Sequence, residues 1–547
     1  MDDTIEHGDG SPKLAAVLAS ATLLSACGGG GSGGDSAGGT SAVPPTPIEP
    51  VSDSQAARFL AQASMGTTRE LMKQVQAVGT SRWLDDQMAM PASQSRWDWL
   101  MAKGFNALEN KNSQAGIDAA LWRKLIASPD TLRQRVTLAL SEIVVASLDG
   151  FTGSWRAFTG AYYMDILEAN AFGNYRTLLQ QVTLSSSMGE YLTYRGNAKA
   201  NPKTGSMPDE NYAREVMQLF TIGLLKLNAD GTATAQETYT QADISGLARV
   251  FTGWDYDLAG GTSDTPEYRK RPMIQAGNKY ESGEKSFLGT TIAAGVDAGT
   301  ALNKALDTIF AHPNVAPFVS KQLIQRLVTS NPAPAYVERV AAVFNNNGSG
   351  VKGDLKAVIK AILLDPEARS AANLAAPGFG KVREPILRFT AWARAYNASS
   401  PSDAWAIGNT SEPSSRLGQS PLHSPSVFNF FRPGYVPPAL GITAPEFQIV
   451  NETSVVGYVN YMQSAISRGV GDVKADYSAL LPLADNVPAL VDEINLVLTS
   501  NQLSGDTVTL LRNAISSMPT GTDAARSNRI YAALTLVMAS PEFIVQK

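Results

Sequence analysis

The sequence predicts a mainly α-helical protein, and three observations lead to that prediction. The chain has 547 residues, of which 44% are hydrophobic and only 17% charged, the composition of a globular protein with a large core. Apolar residues recur in many segments at a spacing of three to four, the period of one helix face. Strand signals are sparse. We therefore expect one large multi-helical domain with irregular loop insertions and at most a small β-hairpin.

The helical period is clearest in residues 129–147. One face of this segment carries Leu132, Val136, Leu140 and Ile143. Several later segments follow the same pattern, and no period of 20–50 residues recurs along the chain. The sequence thus favours a globular helical domain over a helical solenoid.

Local signals indicate where other elements begin and end. Thr240 and Asp243 have the spacing of a capping box, with Asp in place of Glu, which indicates the start of a helix. Lys285–Ile292 is a candidate for part of a small hairpin. Two irregular segments interrupt the helices, Gly253–Gly295 and Asn397–Pro438. Long insertions of this kind are usually functional or disordered, and the aromatic residues in both favour order.

The N-terminal residues indicate an exported lipoprotein. A short apolar run after Lys13 ends at Cys27; it is too short to cross a bilayer but suits the h-region of a signal peptide. Residues 24–27 (LSAC) resemble the lipobox of bacterial lipoproteins, in which the chain is cut before the cysteine and the cysteine is lipidated. Acidic residues in the n-region, where positive charge is expected, argue against this interpretation. The alternative is a free cysteine, and because Cys27 is the only cysteine, no intramolecular disulfide can form.

The expected organisation follows from these signals. We predict a lipoprotein-type signal peptide at 1–26, a tether that is Gly/Ser-rich and then Pro-rich at 27–51, and the helical domain at 52–547. A G-x-S-x-G match inside the tether lacks the strand–turn–helix setting of a serine hydrolase. In bacterial lipoproteins, Gly rather than Asp after the lipidated cysteine favours the outer membrane. The predicted location is therefore the bacterial cell envelope, with a lipid anchor in the membrane.

Composition also excludes several function classes. The net charge is −5 and no long basic run occurs, so a nucleic-acid partner is not expected. The chain has three histidines and lacks H-E-x-x-H, C-x-x-C and P-loop motifs, so the sequence predicts no metal site and no cofactor. Acid–base chemistry by carboxylates is the enzyme class that this inventory leaves most open.

The segment Pro208–Leu224 (PDENYAREVMQLFTIGL) is the main candidate site. Its opening proline suits the first turn of a helix, and its second half is apolar. On a helical wheel, one broad polar face carries Glu210, Asn211, Arg214 and Glu215. Three interpretations are open: a cleft wall where two carboxylates and a guanidinium handle a polar substrate, a structural network of ion pairs, or a solvated surface.

The two insertions carry further candidates. Trp254 and Asp255, with Asp257, suit a sugar-binding platform or a cation site with oxygen ligands; the alternative is a buried tryptophan that anchors the loop. Asn429 and Arg432 stand among aromatic residues and suit recognition of a sugar or an acidic group. The alternative there is a loop whose aromatic residues plug into the core.

Eight segments of the chain recur in the same order in one large bacterial family. They are FLAQASMG, LRQRVTLALSEIVVAS, NAFGNYRTLLQQVTLSSSMGEYL, PDENYAREVMQLFTIGL, YTQADISGLARVFTGW, HPNVAPFVSKQLIQRLV, SVFNFFRPGYVPP and ASPEF. On these segments the chain, from about Ser54 to its end, resembles the family catalogued as domain of unknown function 1800. The resemblance implies an exported protein. It also implies an exported partner from the family catalogued as domain of unknown function 1501, which is often encoded beside it.

The chain departs from this resemblance at one place. Many relatives carry a His-Asp pair shortly before the segment EKSFLG, where this chain has Tyr280 and Glu281. A metal or proton-transfer role that rests on that histidine therefore does not carry over to this chain.

Two functions are consistent with these residues. The first is an envelope-anchored lipoprotein that does binding or assembly work with an exported partner protein. The alternative is a carboxylate-based hydrolase that acts on an extracellular or envelope polysaccharide. In the alternative, the catalytic candidates are Glu210, Glu215 and Asp255, and the substrate-binding candidates are Asn211, Arg214, Trp254, Asn429 and Arg432.

Overall fold

The computed structural model describes residues 50–259 and 261–547. These residues belong to one compact unit. The predicted signal peptide, the lipidation candidate Cys27 and all but the end of the predicted tether lie outside the described residues. Within the described part of the chain, no helix has the length and apolarity needed to cross a bilayer.

Helices make up most of the described structure. The described residues form 21 α-helices: α1 (Asp53–Ala63), α2 (Arg69–Ala89), α3 (Arg96–Ala102), α4 (Ile117–Ala127), α5 (Thr131–Ser141), α6 (Arg156–Ala169), α7 (Tyr175–Leu184), α8 (Ser186–Tyr191), α9 (Asn211–Gln218), α10 (Gln241–Ala248), α11 (Ala298–Ala311), α12 (Val315–Leu327), α13 (Pro334–Asn345), α14 (Leu355–Leu364), α15 (Pro366–Arg369), α16 (Pro385–Ala395), α17 (Glu452–Arg468), α18 (Val487–Thr499), α19 (Gly505–Ser516), α20 (Asp523–Ala539) and α21 (Pro541–Ile544). Short 3-10 helices lie at Leu108–Asn110, Leu148–Gly150, Arg249–Phe251, Pro266–Lys270, Ala371–Leu374, Pro445–Ile449 and Leu481–Leu483.

The strands are short and pair two by two, always antiparallel. The pairs are β1 (Leu225–Leu227) with β2 (Ala233–Glu237), β3 (Trp254–Asp255) with β4 (Ile274–Gln275), β5 (Lys285–Phe287) with β6 (Thr290–Ile292), and β7 (Lys381–Val382) with β8 (Val545–Gln546). The predicted fold class is confirmed, and the predicted hairpin is β5–β6. Small strand pairs are more numerous than the one hairpin that the sequence indicates.

Helix α5 lies at the centre of the core. Its predicted apolar face is fully buried at Leu132, Val136 and Leu140, and polar residues of the same helix, including Gln134 and Arg135, are buried as well. It packs against α2, α4, α6 and α12. A helix that is buried all round needs internal partners for its polar side chains, because a polar group removed from water without a partner is costly.

Gln134 hydrogen-bonds to Arg96 and Asp130, and Arg135 belongs to a network of six buried ionisable groups. We call it the central ion network, and its members are Arg135 of α5, Glu142 at the C-cap of α5, Arg326 of α12, Lys381 of β7, Glu384 at the N-cap of α16, and Glu446. All six side chains are at least nine-tenths buried. The network contains three carboxyl groups and three basic groups.

Lys381 is the centre of this network. Its Nζ donates hydrogen bonds to Glu384 (3.0 Å) and to the carbonyl of Arg326 (2.9 Å), and it lies 3.3 Å from a carboxylate oxygen of Glu446. The guanidinium of Arg326 lies 3.3 Å from Glu142. Burial and the adjacent charge of Glu384 raise the pKa of Glu142 well above its ordinary value.

We predict that Lys381→Met strongly destabilises the protein. Two buried carboxylates, Glu384 and Glu446, would lose their cation, and breaking a buried pair in this way costs about 3–5 kcal/mol. The measurement is the free energy of unfolding of the full chain in urea.

The matched control is Lys360→Met. Lys360 also pairs with a carboxylate at 2.8 Å, Asp85, but both side chains are about a third or more exposed. Surface pairs contribute less than about 1 kcal/mol. Equal losses in the two variants would contradict a stabilising role for the central ion network.

Candidate functional site

Helix α9 begins later than the sequence indicates. Pro208 was expected in its first turn, but the helix begins at Asn211 and its N-cap is Glu210. Asp209 lies before the helix, where it accepts hydrogen bonds from the backbone N–H of Asn211 (2.7 Å) and from the hydroxyl of Thr193 (2.8 Å). Because the Asp209 side chain offers the backbone N–H of Asn211 a partner outside the helix, the helix begins after Asp209 and not at Pro208.

Glu210 connects α9 to α10. Its two carboxylate oxygens accept hydrogen bonds from the hydroxyl of Ser245 (2.6 Å) and from the side-chain amide of Gln241 (2.7 Å). The guanidinium of Arg214 lies 3.5 Å away, and it donates a hydrogen bond to the oxygen of the same Gln241 amide (3.3 Å). This arrangement is the network of ion pairs and hydrogen bonds that was one of the three open interpretations.

Glu210 also lines a cleft of about 540 Å³ between the loop before α9, α10 and the β5–β6 hairpin. We call it the acidic cleft. Its polar lining consists of Glu210, Ser245, Arg249, Glu281, Glu284 and Ser286. Met207, 74% exposed, also lines it. A volume of this size lies in the range of small-molecule and peptide-anchor sites, which is about 300–1,000 Å³.

Charge in the acidic cleft is unbalanced. Three glutamates line it against a single arginine. Arg249 lies 3.7 Å from Glu281, whose carboxylate also accepts a hydrogen bond from the backbone N–H of Gly283 (2.9 Å). Glu284 is exposed directly before β5 and forms no ion pair with another described residue. The cleft therefore presents a net negative field to solvent.

The hairpin wall lies directly against α10. The Thr240–Asp243 capping box is confirmed, and the same Asp243 accepts a hydrogen bond from the backbone N–H of Leu288 (2.6 Å). Gly246 allows the close approach, since a Cβ there would lie only 1.8 Å from the carbonyl oxygen of Ser286. The wall thus depends on a backbone contact that no other residue type permits.

A buried ion pair anchors the insertion that carries this hairpin. Arg269 donates a hydrogen bond to Glu190, and both side chains are fully buried. The hydroxyl of Tyr256 and the backbone N–H groups of Thr152 and Gly153 donate to the same carboxylate. Burial alone would raise the pKa of Glu190, but Arg269 and these donors hold it below its ordinary value.

The structure separates the two glutamates that were predicted to act together. Glu215 is only 7% exposed and does not line the acidic cleft. It lies five residues after Glu210, which is about 140° around a helix of 3.6 residues per turn. Burial raises the pKa of Glu215, and the positive charge of Arg214 lowers it by a smaller amount. The Oε2 atom of Glu215 has no hydrogen-bond partner among the described residues. Asn211 and Arg214 are half-buried beside it.

The candidates in the first insertion are occupied by structural contacts. Trp254 is buried, and its indole N–H donates to the carbonyl of Val250 (3.2 Å). Asp255 forms an ion pair with Arg195 (2.8 Å), whose guanidinium lies 4.2 Å from the ring centre of Tyr256. This is the arrangement of a tryptophan that anchors the loop.

The candidates in the second insertion lie apart from the acidic cleft. Asn429 is buried and accepts a hydrogen bond from the hydroxyl of Ser424 (3.2 Å). Arg432 is exposed, and its guanidinium lies 5.1 Å from the ring centre of Phe428. Phe431 packs under Arg326 of the central ion network at 4.7 Å. Phe431 is thus the aromatic residue of this loop that is buried, whereas Phe428, Phe430 and Tyr435 are half-buried.

His423 is buried beside a carboxylate, but its ring is fully used. One ring nitrogen lies 2.8 Å from Asp118, and the other accepts a hydrogen bond from the amide of Asn409 (3.1 Å). The Asn409 amide oxygen accepts from the backbone N–H of Ser411, which fixes its orientation. No ring nitrogen is left for a serine nucleophile, so this pair is not part of a Ser-His-Asp triad.

Sequence reasoning missed Ser245, Arg249 and Glu284 as lining residues of a site. Each lies in a segment whose local pattern indicates only a helix or a hairpin. Glu281 lies at the position where this chain departs from the His-Asp pair of its relatives. That departure was the one sequence signal that pointed to a lining residue of the cleft.

Comparison with known proteins gives one result. The family described as protein of unknown function (DUF1800) matches residues 58–545, nearly the whole chain. The chain belongs to this family. The DUF1800 match covers both insertions and every residue that lines the acidic cleft. Neither the curated proteins nor the solved structures give a match.

We predict that Glu215→Gln changes the pH dependence of stability. Because burial raises the pKa of Glu215 above its ordinary 4.5, the folded state binds this proton more tightly than the unfolded state. The stabilisation of the folded state by protonated Glu215 is complete below pH 4.5. It is lost as the pH rises through the pKa of Glu215 in the folded state. Glutamine cannot ionise, so the variant should gain in melting temperature relative to the wild type between pH 4 and pH 8.

The control for this measurement is Glu237→Gln, a change at an exposed glutamate of β2. Its melting temperature should keep a constant offset from the wild type over the same range. A constant offset for Glu215→Gln as well would show that the buried carboxyl does not titrate as described.

Proposed function

We propose that the protein is an envelope-anchored lipoprotein that does binding or assembly work, and that the acidic cleft is its contact for an exported partner protein. The supporting observation is the cleft itself, which is lined by three glutamates and one arginine. The family resemblance implies the partner, a protein of the family catalogued as domain of unknown function 1501. The complementary feature on the partner is a basic side chain on a partly apolar segment, since Met207 lines the cleft beside the carboxylates.

The geometry favours binding over catalysis. Both oxygens of Glu210 already accept hydrogen bonds from α10, so this carboxylate holds the cleft wall together. Glu281 and Glu284 are the groups available to a ligand. A charged cleft of this kind gives specificity and fast association, and its contribution decreases with salt.

We expect the double variant Glu281→Gln with Glu284→Gln to bind the purified partner about tenfold more weakly than the wild type at low salt. The reason is that each lost charge pair contributes on the order of 0.5–1 kcal/mol. Titration calorimetry at low and high salt measures the effect, and high salt should bring the wild type close to the variant. Glu237→Gln, an exposed glutamate outside the cleft, is the control. Unchanged affinity in the double variant would exclude the acidic cleft as the contact.

A hydrolase remains the second candidate, and one observation favours it. The raised pKa of Glu215 is a property of general acids. The carboxyl does not line the cleft that contains Glu210, so a two-carboxylate mechanism would need α9 to move. Hydrolysis of an envelope or extracellular polysaccharide that is abolished by Glu215→Gln would favour this candidate over binding alone.

The lipid anchor has a test of its own. Because acylation of Cys27 would supply the membrane attachment, Cys27→Ser should move the protein from the membrane fraction to the soluble fraction of the native host. Metabolic labelling with a fatty acid measures the modification directly. Unchanged fractionation of the variant would refute the anchor.

A further inference from the structure

A second groove, of about 400 Å³, lies on α6 and α7 beside Arg271 and Pro272. We call it the amide groove, after Gln180 and Gln181 of α7, which line it. It shares no lining residue with the acidic cleft, and the two differ in chemistry: no carboxylate of the described residues lines the amide groove.

The two glutamines present donors to this groove. The side-chain oxygen of Gln181 accepts a hydrogen bond from the amide of Asn170 (2.7 Å), and that of Gln180 accepts one from the guanidinium of Arg176 (3.0 Å). Each oxygen is held by a neighbouring donor, which fixes the amide orientation. Both NH₂ groups are without an acceptor among the described residues, so two pairs of N–H donors remain for a ligand.

The other polar groups add to this excess of donors. Thr177 and Tyr162 line the groove, and their hydroxyls have no side-chain or backbone partner within the described ranges. Arg271 carries a positive charge, but Asp257 lies 3.8 Å away and offsets it. The groove is therefore rich in donors without being strongly cationic.

The apolar side of the groove is formed by the ring of Tyr162, Ile166, Leu184 and Pro272. A ligand that fits must combine an apolar face with several oxygen acceptors. A peptide N–H would find acceptors only in the hydroxyl oxygens of Thr177 and Tyr162 and in the second lone pairs of the glutamine oxygens, so the groove suits a ligand with several oxygen acceptors better than a peptide. Sugar hydroxyls can accept from the groove while they donate to water, and the C–H face of a sugar ring packs on an aromatic side chain.

We propose that the amide groove is a binding site for an uncharged carbohydrate unit, separate from the acidic cleft. Two glutamine NH₂ groups, the hydroxyls of Thr177 and Tyr162 and the guanidinium of Arg271 hydrogen-bond to sugar oxygens. The ring of Tyr162 and the aliphatic residues pack against one face of the sugar. This site goes beyond the proposed partner contact and does not depend on it.

The test is titration of the full chain with uncharged trisaccharides, one of β-1,4-linked glucose and one of β-1,4-linked N-acetylglucosamine. The decisive variant is the double substitution Gln180→Glu and Gln181→Glu. It keeps the size of the side chains and the oxygens that Arg176 and Asn170 need, but replaces the N–H donors by acceptors. We expect binding of at least one trisaccharide by the wild type and a loss of about tenfold or more in the variant.

The matched control is Gln236→Glu, at an exposed position of β2. It should bind the trisaccharide like the wild type. The acidic-cleft variant Glu281→Gln with Glu284→Gln should do so as well, and this result would separate the carbohydrate site from the partner contact. The proposal would be overturned if the wild type bound neither trisaccharide. It would also be overturned if the variant Gln180→Glu with Gln181→Glu bound a trisaccharide as tightly as the wild type. Binding of a galacturonate trimer alone, lost on Arg271→Gln, would overturn it in favour of an anionic ligand.

Discussion

The central ion network is the constraint on which the rest of the fold depends. Buried charges need opposite charges nearby, because an isolated ion in the core is far more costly than a neutral group. The network joins α5, α12, the start of α16 and the 3-10 helix around Glu446, segments that are distant in the chain. Lys381 belongs to β7, which pairs with β8, so the end of the chain is fastened to the same centre.

The two proposed binding surfaces lie where irregular segments are fixed against this helical core. The first insertion is held by the pair between Arg269 and Glu190, and it contributes Glu281 to the acidic cleft and Arg271 to the amide groove. One cleft exposes carboxylates and the other exposes donors. The two proposed sites therefore differ in the chemistry that they offer to a ligand.

Local signals predicted a large part of the fold. The apolar period at Leu132, Val136 and Leu140 gave the buried face of α5, and the Thr240–Asp243 box gave the start of α10. The order of family segments gave the family. The same signals failed for Glu215, which a helical wheel placed on the polar face with Arg214. A wheel shows which residues share a face, but not which neighbouring segments cover that face.

The sequence by itself determined the fold class, the family and the position of the small hairpin, because these follow from periodicity, capping and residue order. Only the tertiary structure decided that Glu210 lines an open cleft while Glu215 and Trp254 are buried. Ser245 and Glu281, which complete the surroundings of Glu210, come from later segments of the chain. The physical reason is that burial and charge pairing depend on contacts between distant segments, and short-range patterns do not encode them.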